Sequence, residues 1–411
     1  MLCITYLVRP FGVVWYASGW LLTRSDACSF GYLFMSSAGT PPTALGKPQE
    51  VTNELVLDKI VATAMGLMAF PSLTGHELPV MEHVESLLQG MGWRTERWPI
   101  PNDLRFNLFA KPAGRNPRVV LTTHLDVVPA PDDLFTPRIV DGVLLGRGAC
   151  DTKGIAAVMI QGADSLKREG RDDIGLLFVV GEETDSVGAR MAVPMLRERG
   201  VEFIVNGEPT EGKLVIAQKG VLAGKIFVKG RSCHSGYPHL GVDANAFLID
   251  VASELRSIDF GTHPVFGEST INIGMLKGGE AGNIVSPSAE LSFWLRTVSS
   301  SHVLTETVHA AVKSVAKRLP GVEVSVTIDV ESEPIELVPL PGFETTVFCG
   351  GSDVSYYVES GARVLMYGPG SLTHAHTDTE QITLRELGEA FNGYLTIYHA
   401  LRGGVASVVV D

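Results

Sequence analysis

Residues 119–129 read Val-Val-Leu-Thr-Thr-His-Leu-Asp-Val-Val-Pro, a short apolar run followed at once by a histidine and an aspartate. The same order recurs at 176–183, 203–208 and 364–376, where an apolar run of strand length precedes acids or a histidine. Segments with helical periodicity, at 55–68 and 78–91 for example, accompany these runs. This alternation predicts an α/β fold, with helices on both faces of a mostly parallel sheet.

Acids and histidines follow the predicted strands at their carboxyl ends. They are His124, Asp126, Glu182, Glu183, Glu208 and His376. Asp151 adds a carboxylate in the loop before a helix that we predict to start near Gly154. Open α/β sheets place their sites at the edge where the carboxyl ends of the parallel strands meet. We therefore expect these side chains to contribute to a site at that edge.

Residues 222–330 follow a different order of elements. The pattern predicts strand (224–228), helix (242–258), strand (270–276), strand (289–297), helix (303–318) and strand (322–330). This is the ferredoxin-like, split β-α-β-β-α-β unit. Because α/β character resumes afterwards, we predict a domain of residues 217–330 inserted into a larger domain of residues 51–216 and 331–411. Pairing of two such units would cover their exposed sheet edges, so we expect a homodimer through 217–330.

Residues 1–50 lie outside this pattern. The uncharged apolar run at 10–23 contains a proline and two glycines and is shorter than the roughly 20 residues of a membrane span. The only early charge, Arg9, follows an apolar start, which is not typical of a secretory signal. We interpret residues 1–50 as a disordered or non-native N-terminal extension, and we predict no membrane anchor.

Composition restricts the partners and the compartment. The 411 residues include 33 Lys and Arg against 46 Asp and Glu, a formal net charge of −13. No sequence-wide positive field therefore attracts nucleic acid or anionic membranes, and neither is an expected partner. The five cysteines are odd in number and lack C-x-x-C spacing, which argues against a disulfide framework and a thiolate zinc site. A reducing, cytoplasmic setting is the prediction.

The recurring histidines and acids form a donor set suited to Zn²⁺ or a similar transition ion. Taken singly, a histidine after a strand is more often a satisfied polar residue, and an aspartate before a helix is more often a cap. Taken together, two histidines and three carboxylates exceed the three protein ligands of one catalytic zinc. Two metal ions that share one carboxylate account for the number.

Five stretches resemble the zinc-dependent amidohydrolase family that includes acetylornithine deacetylase, succinyl-diaminopimelate desuccinylase, aminoacylase and carboxypeptidase G. They are Thr-His-Leu-Asp-Val-Val-Pro at 123–129, Gly-Arg-Gly-Ala-Cys-Asp-Thr-Lys-Gly at 146–154, Gly-Glu-Glu-Thr at 181–184, Asn-Gly-Glu-Pro at 206–209, and Gly-Pro-Gly with Ala-His at 368–376. The resemblance extends from about residue 51 to the C-terminus. Acetylornithine deacetylase-like members look nearest.

The resemblance implies two Zn²⁺ ions, with Co²⁺ or Mn²⁺ as substitutes. The ligands that it implies are His124, Asp151 and Glu208 for one ion, and His376, Asp151 and Glu183 for the other. Asp126 would hold the second nitrogen of the His124 imidazole and fix its tautomer. Glu182 stays free of metal, and would act as the general base on a water that bridges the ions.

The resemblance also implies roles for residues of the inserted unit and of one loop. His234 corresponds to a histidine that in relatives reaches the partner subunit's site and stabilises the oxyanion, although the residues alone favour a simple turn position. Asn283 and Arg296 match residues that contact the substrate's carbonyl and carboxylate, and an arginine fork suits a carboxylate. Gly350 and Gly351 belong to a loop that resembles the one wrapping the substrate in relatives.

The expected activity is hydrolysis of the amide bond of an N-acyl amino acid, as in acetylornithine deacetylase. A succinyl-diaminopimelate desuccinylase-like activity and a dipeptidase or carboxypeptidase activity are the alternatives. The resemblance makes residues 217–330 a lid or dimerisation domain and the partners a small N-acyl amino acid or dipeptide and a second copy. A non-catalytic scaffold would have lost Glu182 or a ligand, and a metal-storage module predicts no free carboxylate beside the metals.

Overall fold

The computed structural model describes residues 54–403, so the interpretation of residues 1–50 lies outside the described residues. The helices of this part are α1 (Glu54–Met68), α2 (Leu78–Gly90), α3 (Lys153–Arg168), α4 (Val187–Glu198), α5 (Ala244–Ser257), α6 (Ser301–Arg318), α7 (Val354–Tyr357) and α8 (Leu384–Arg402). The helices predicted at 55–68 and 78–91 are α1 and α2. Among the described residues, no helix combines the length and the apolarity needed to cross a membrane.

Eighteen strands are found in the same part of the chain. They are β1 (Arg94–Pro99), β2 (Phe106–Lys111), β3 (Val119–His124), β4 (Arg138–Val140), β5 (Val143–Leu145), β6 (Ile174–Val179), β7 (Phe203–Asn206), β8 (Leu214–Gln218), β9 (Gly220–Lys229), β10 (Thr262–His263), β11 (Gly267–Glu268), β12 (Thr270–Gly278), β13 (Ser288–Thr297), β14 (Glu323–Ser332), β15 (Ile335–Glu336), β16 (Thr345–Phe348), β17 (Arg363–Met366) and β18 (Gln381–Thr383).

The largest sheet has nine strands in the order β1-β2-β6-β3-β7-β17-β8-β15, with β16 also paired to β8. The central strands β6, β3, β7 and β17 are parallel, whereas the pairings β1–β2, β2–β6, β17–β8 and β8–β15 are antiparallel. The predicted α/β fold class is confirmed. The sheet is mixed, however, because antiparallel strands flank its parallel centre.

Helices cover both faces of this sheet because its central strands are apolar on both sides. Successive side chains of a strand point to opposite faces. Leu121 of β3 joins a core with α1, α2, α3 and α8, and its neighbour Val120 joins a second core with α4 and α7. Burial on both faces explains why β3 and β6 carry continuous apolar runs instead of an alternating pattern.

A second, four-stranded sheet is built from residues 220–332, in the antiparallel order β12-β13-β9-β14. Helices α5 and α6 pack on one face, where alternate residues of β13, namely Leu291, Phe293 and Leu295, are buried. This is the predicted β-α-β-β-α-β unit, and each of its strands and helices lies at the predicted position. Its boundaries as a separate domain, at 217 and 330, stay a prediction.

From the packing of this second unit, we predict that two substitutions in α5 differ strongly in their effect on the free energy of unfolding. Phe247 is fully buried, and Phe247→Ala should lower the free energy of unfolding by about 3–5 kcal/mol because it leaves a cavity. Ile249 on the same helix is 58 % exposed, so Ile249→Ala should change it by about 0.5 kcal/mol or less. Urea denaturation followed by circular dichroism measures both. Equal effects of the two substitutions would contradict this packing.

Candidate metal centre

The parallel register of the central strands brings the candidate ligands to one level of the sheet edge. Thr122 of β3 pairs with Asn206 at the end of β7, so His124 at the end of β3 and Glu208, two residues after β7, come from adjacent strands at the same edge of the sheet. Gly207 allows this part of the chain to approach α3, because a Cβ there would lie 2.5 Å from the end of the Met159 side chain. Close packing thus explains the glycine of the Asn-Gly-Glu sequence.

The side chains of His124 and His376 both lie close to the carboxylate of Asp151. Its Oδ1 lies 3.2 Å from Nε2 of His124, and its Oδ2 lies 3.4 Å from Nε2 of His376. His376 also lies 2.9 Å from Oε2 of Glu183. The potential donor atoms of His124, Asp151 and Glu183 all lie within 4.8 Å of one another, a grouping that could hold a metal ion. A carboxylate with one oxygen toward each histidine has the geometry of a bridging ligand.

Glu182 and Glu208 lie beside this group without a close contact to it. Oε2 of Glu182 is 3.9 Å from Nε2 of His124, and the Glu182 side chain is 13 % exposed. Glu208 is buried and accepts a hydrogen bond from Nδ2 of Asn206 at 3.3 Å. Within residues 54–403, neither carboxylate forms a hydrogen bond to Asp151 or an ion pair with a lysine or arginine.

Asp126 organises the loop that carries Glu182 and Glu183. Its carboxylate accepts the backbone N–H groups of Glu182 at 3.2 Å and of Glu183 at 3.1 Å. Nδ1 of His124 lies 3.0 Å from the backbone carbonyl of Asp126 and 3.4 Å from its Oδ1. The expected support of the imidazole is therefore shared between a backbone carbonyl and the carboxylate.

The excess of negative charge among the grouped side chains favours the binding of a cation. Burial, together with the neighbouring negative charges, raises the pKa of Glu182 and Glu208 well above the usual value. Hydrogen bonds to Asp151 and Glu183 raise the pKa of His376 to about 10. Burial opposes ionisation of Asp126, but the hydrogen bonds that it accepts outweigh burial and lower its pKa. Clustered carboxylates and imidazoles with this excess of negative charge fit a divalent metal of the zinc type.

A buried ion pair that sequence reasoning missed holds the loop of Asp151. Oε2 of Glu380 accepts a hydrogen bond from Arg147 at 2.5 Å, and its Oε1 accepts the backbone N–H groups of Cys150 and Asp151, each at 3.1 Å. The pairing of β18 with β5 brings Glu380 to this loop. No local pattern marks Glu380, because its partners lie in a loop far away along the chain.

Arg296, on β13, faces the same cavity as the acidic loop. The cavity has a volume of about 280 Å³, and its lining includes Glu182, Glu183, Arg296 and Gly351. The Arg296 guanidinium is 5.5 Å from the centre of the Trp294 ring, and burial lowers its pKa. Among the described residues, nothing forms a hydrogen bond or an ion pair with this guanidinium. Gly350 precedes Gly351 in the sequence but does not itself line the cavity.

His234 and Asn283 lie together in an exposed part of the second unit. The N–H of Ser235 donates to the Asn283 carbonyl at 3.0 Å, and His234 forms a bridge with Ile284. Nδ1 of His234 accepts the backbone N–H of Gly236 at 3.1 Å. Within the described part of the chain, no hydrogen bond or ion pair links either residue to the histidines and carboxylates around Asp151.

Histidines and carboxylates grouped at the carboxyl edge of an α/β sheet are typical of a metal-binding enzyme site. The chain belongs to peptidase family M20/M25/M40, whose model matches residues 120–400. It is 32 % identical over 346 residues to a peptidase M20 domain-containing protein of Schizosaccharomyces pombe, with 82 % of this chain and 83 % of that protein covered. It is 32 % identical over 398 residues to a protein of Aspergillus clavatus named probable carboxypeptidase, covering 88 % and 86 %.

Solved structures show the same fold at lower identity. Aminopeptidase PepT of Bacillus cereus superposes with a TM-score of 0.69 at 20 % identity, covering 84 % of this chain and 99 % of that one. YXEP of Bacillus subtilis, described as a dinuclear metal binding peptidase of the M20 family, gives a TM-score of 0.64 at 16 % identity, covering 85 % and 99 %. These likenesses support the fold alone.

The family establishes the class of reaction. The protein is a metal-dependent hydrolase that acts on amide bonds. The comparisons do not show a particular nearness to acetylornithine deacetylase, since the relatives are named carboxypeptidase or M20 domain protein. The carboxypeptidase name fits one of the alternatives that the sequence left open.

Proposed function

We propose that the protein is a di-metal exopeptidase that cleaves an amide bond next to a free α-carboxylate, as a carboxypeptidase or dipeptidase does. The observation that carries the proposal is the unpaired guanidinium of Arg296, which shares a cavity with Glu182 and Glu183. N-acyl amino acids are a second substrate class, because they offer the same amide and carboxylate. The sequences at 181–184 and 368–376, which resemble acetylornithine deacetylase-like members, favour that second class.

The proposed ligands combine the contacts of Asp151 and His376 with Glu208, which the resemblance to the amidohydrolase family adds. His124, Asp151 and Glu208 would hold one ion, and His376, Asp151 and Glu183 would hold the other. Zn²⁺ is the proposed metal, because imidazole and carboxylate donors suit it. When bound, the metal pair supplies Lewis acidity that polarises the substrate carbonyl and makes a water molecule more acidic.

Glu182 is proposed as the general base and acid. Its carboxylate lies at the edge of the cavity, close to His124 but without a hydrogen bond to it. It would take a proton from the attacking water as the water oxygen bonds to the carbonyl carbon. It would then give this proton to the amide nitrogen as the C–N bond breaks, which releases a carboxylic acid and an amine. Burial raises the pKa of Glu182, which makes its carboxylate a stronger base toward the attacking water.

Arg296 is proposed to hold the α-carboxylate of the substrate. A guanidinium can bind a carboxylate through two parallel hydrogen bonds. The centre of the Trp294 ring lies 5.5 Å from the guanidinium, and Gly351 lines the same cavity without adding a side chain. Gly350 and Gly351 would let the loop approach the substrate closely.

His234 and Asn283 are proposed to act on the site of a partner subunit. Both are exposed in their own chain, and among the described residues no hydrogen bond or ion pair links them to the cluster around Asp151. A homodimer through residues 217–330 would let His234 stabilise the oxyanion and Asn283 contact the carbonyl of a substrate in the partner's site.

Glu182→Gln should reduce kcat by a factor of roughly 10² or more, because it removes the positioned proton carrier. The variant should still hold close to two zinc ions per chain, measured by inductively coupled plasma mass spectrometry. Asp151→Ala is the contrasting variant, since loss of a bridging ligand should empty at least one site. Loss of metal from Glu182→Gln would show that Glu182 is a ligand, and full occupancy in Asp151→Ala would contradict the bridge.

Substrates with a free α-carboxylate should be cleaved much faster than their carboxamide analogues. The expected difference in kcat/KM is on the order of 2–4 kcal/mol, because a carboxamide leaves the Arg296 guanidinium desolvated without its anion. A panel of dipeptides, N-acetyl amino acids and N-succinyl amino acids, each as acid and amide, measures the difference and the preferred class. Arg296→Ala should remove most of this difference in kcat/KM between acids and amides, and Arg296→Lys should retain part of it. Equal cleavage of acids and amides by the wild type would contradict the proposal.

Two inactive variants should restore activity when they form a mixed dimer. His234→Ala lacks the proposed trans histidine, and Glu182→Gln lacks the base, but a mixed dimer contains one complete site. Random exchange of subunits should therefore restore about a quarter of wild-type activity, given two-fold symmetry. Light scattering at micromolar concentration should show the dimer. A fully active monomer, or a mixture without activity, would contradict the trans role of His234.

A further inference from the structure

We propose that Thr74 is a positioning residue of the metal centre: its hydroxyl fixes the carboxylate of Asp126 and, through it, His124 and the loop of Glu182 and Glu183. Oγ1 of Thr74 donates a hydrogen bond of 2.7 Å to Oδ2 of Asp126. The proposal rests on the proposed function, because it assigns Thr74 to the support of that metal site. Thr74 lies before residue 120, where the match to the family model begins.

The carboxylate of Asp126 is fully buried and depends on a small set of donors. Oδ1 accepts the N–H of Glu182, and Oδ2 accepts the N–H of Glu183 and the hydroxyl of Thr74. Of the hydrogen bonds to this carboxylate, the one from Thr74 is the shortest and the only one that comes from a side-chain hydroxyl among the described residues. The hydroxyl therefore selects the orientation of the carboxylate plane that also receives both backbone N–H groups.

Backbone pairing holds Thr74 in place independently of its own side chain. The N–H of Val127 donates to the Ser72 carbonyl at 3.0 Å, and Leu73 forms a bridge with Val127. The hydroxyl of Ser72 also donates to the Leu125 carbonyl at 2.6 Å. The loop that precedes α2 is thus fastened along the residues that follow β3, on both sides of Asp126.

Loss of the hydroxyl should affect metal binding more than folding. Thr74 is only partly buried, and valine has nearly the same shape, so the loop can keep its backbone bonds. The buried carboxylate would then lack one of its donors and could rotate away from His124 and from the two N–H groups. Partners that orient metal ligands typically contribute about 10–100-fold in metal affinity or activity.

The test compares Thr74→Val, Thr74→Ser and Ser72→Ala in the full-length, zinc-loaded protein. The readouts are the Kd for Zn²⁺, from competition with a chromophoric chelator, the Tm, and kcat and KM on the best substrate of the panel. Thr74→Val should weaken Zn²⁺ binding by about 10–100-fold and lower kcat more than it raises KM. Thr74→Ser should restore both, because serine retains the donor. Ser72→Ala should lower the Tm while the Kd for Zn²⁺ stays within about twofold of the wild type.

Three results would overturn the proposal. The first is a Thr74→Val variant with the zinc affinity and kcat of the wild type. The second is a Thr74→Ser variant that loses as much zinc affinity and kcat as Thr74→Val. The third is a Ser72→Ala variant that loses as much zinc affinity as Thr74→Val, which would indicate that the loop has a merely structural role. A wild type that binds Zn²⁺ but cleaves no substrate of the panel contradicts the proposed function alone. The zinc affinities of the variants still decide the role of Thr74 in that case.

Discussion

The grouping of buried carboxylates at the carboxyl edge of the large sheet is the constraint on which the rest of the site depends. Burial and neighbouring negative charges raise the pKa of Glu182, Glu183 and Glu208, whereas hydrogen bonds to the two histidines outweigh burial and lower the pKa of Asp151. Negative charges so placed are costly in a low-dielectric interior unless a cation compensates them. Two imidazoles compensate only part of this negative charge. The fold therefore favours the binding of metal ions at this edge of the sheet.

The scaffold resists this repulsion by fixing each segment that carries a charge. Parallel pairing fixes His124 beside Glu208, and Asp126 fixes the Glu182–Glu183 loop through two backbone N–H groups. Glu380, paired with Arg147, fixes the loop of Asp151 in the same way. Asp126 and Glu380 are not proposed metal ligands. They position these loops by accepting hydrogen bonds from backbone N–H groups.

The sequence predicted the parts of this arrangement that depend on local pattern. Apolar runs with a charged residue at their ends located β3, β6, β7 and β17, and the order of elements located the inserted unit. Edge strand β1 was missed because its sequence, Arg-Thr-Glu-Arg-Trp-Pro, contains no apolar run. Thr74 and Glu380 were missed because their partners are 52 and 229 residues away and no spacing rule connects them. Contacts of this kind are decided by tertiary packing, which a single sequence does not display.

Under the proposed function, chemistry and substrate recognition come from different sheets. The proposed metal-binding and proton-transfer groups lie at the edge of the nine-stranded sheet, whereas Arg296 lies on β13 of the four-stranded sheet. If Arg296 binds the substrate as proposed, a substitution on β13 changes which substrates fit without disturbing the histidines and carboxylates around Asp151. The motifs that identify the family belong to the first group, while the residues proposed to bind the substrate lie on β13 and in loops. This separation explains why the sequence motifs indicate amide hydrolysis strongly and the choice between N-acyl amino acids and peptides only weakly.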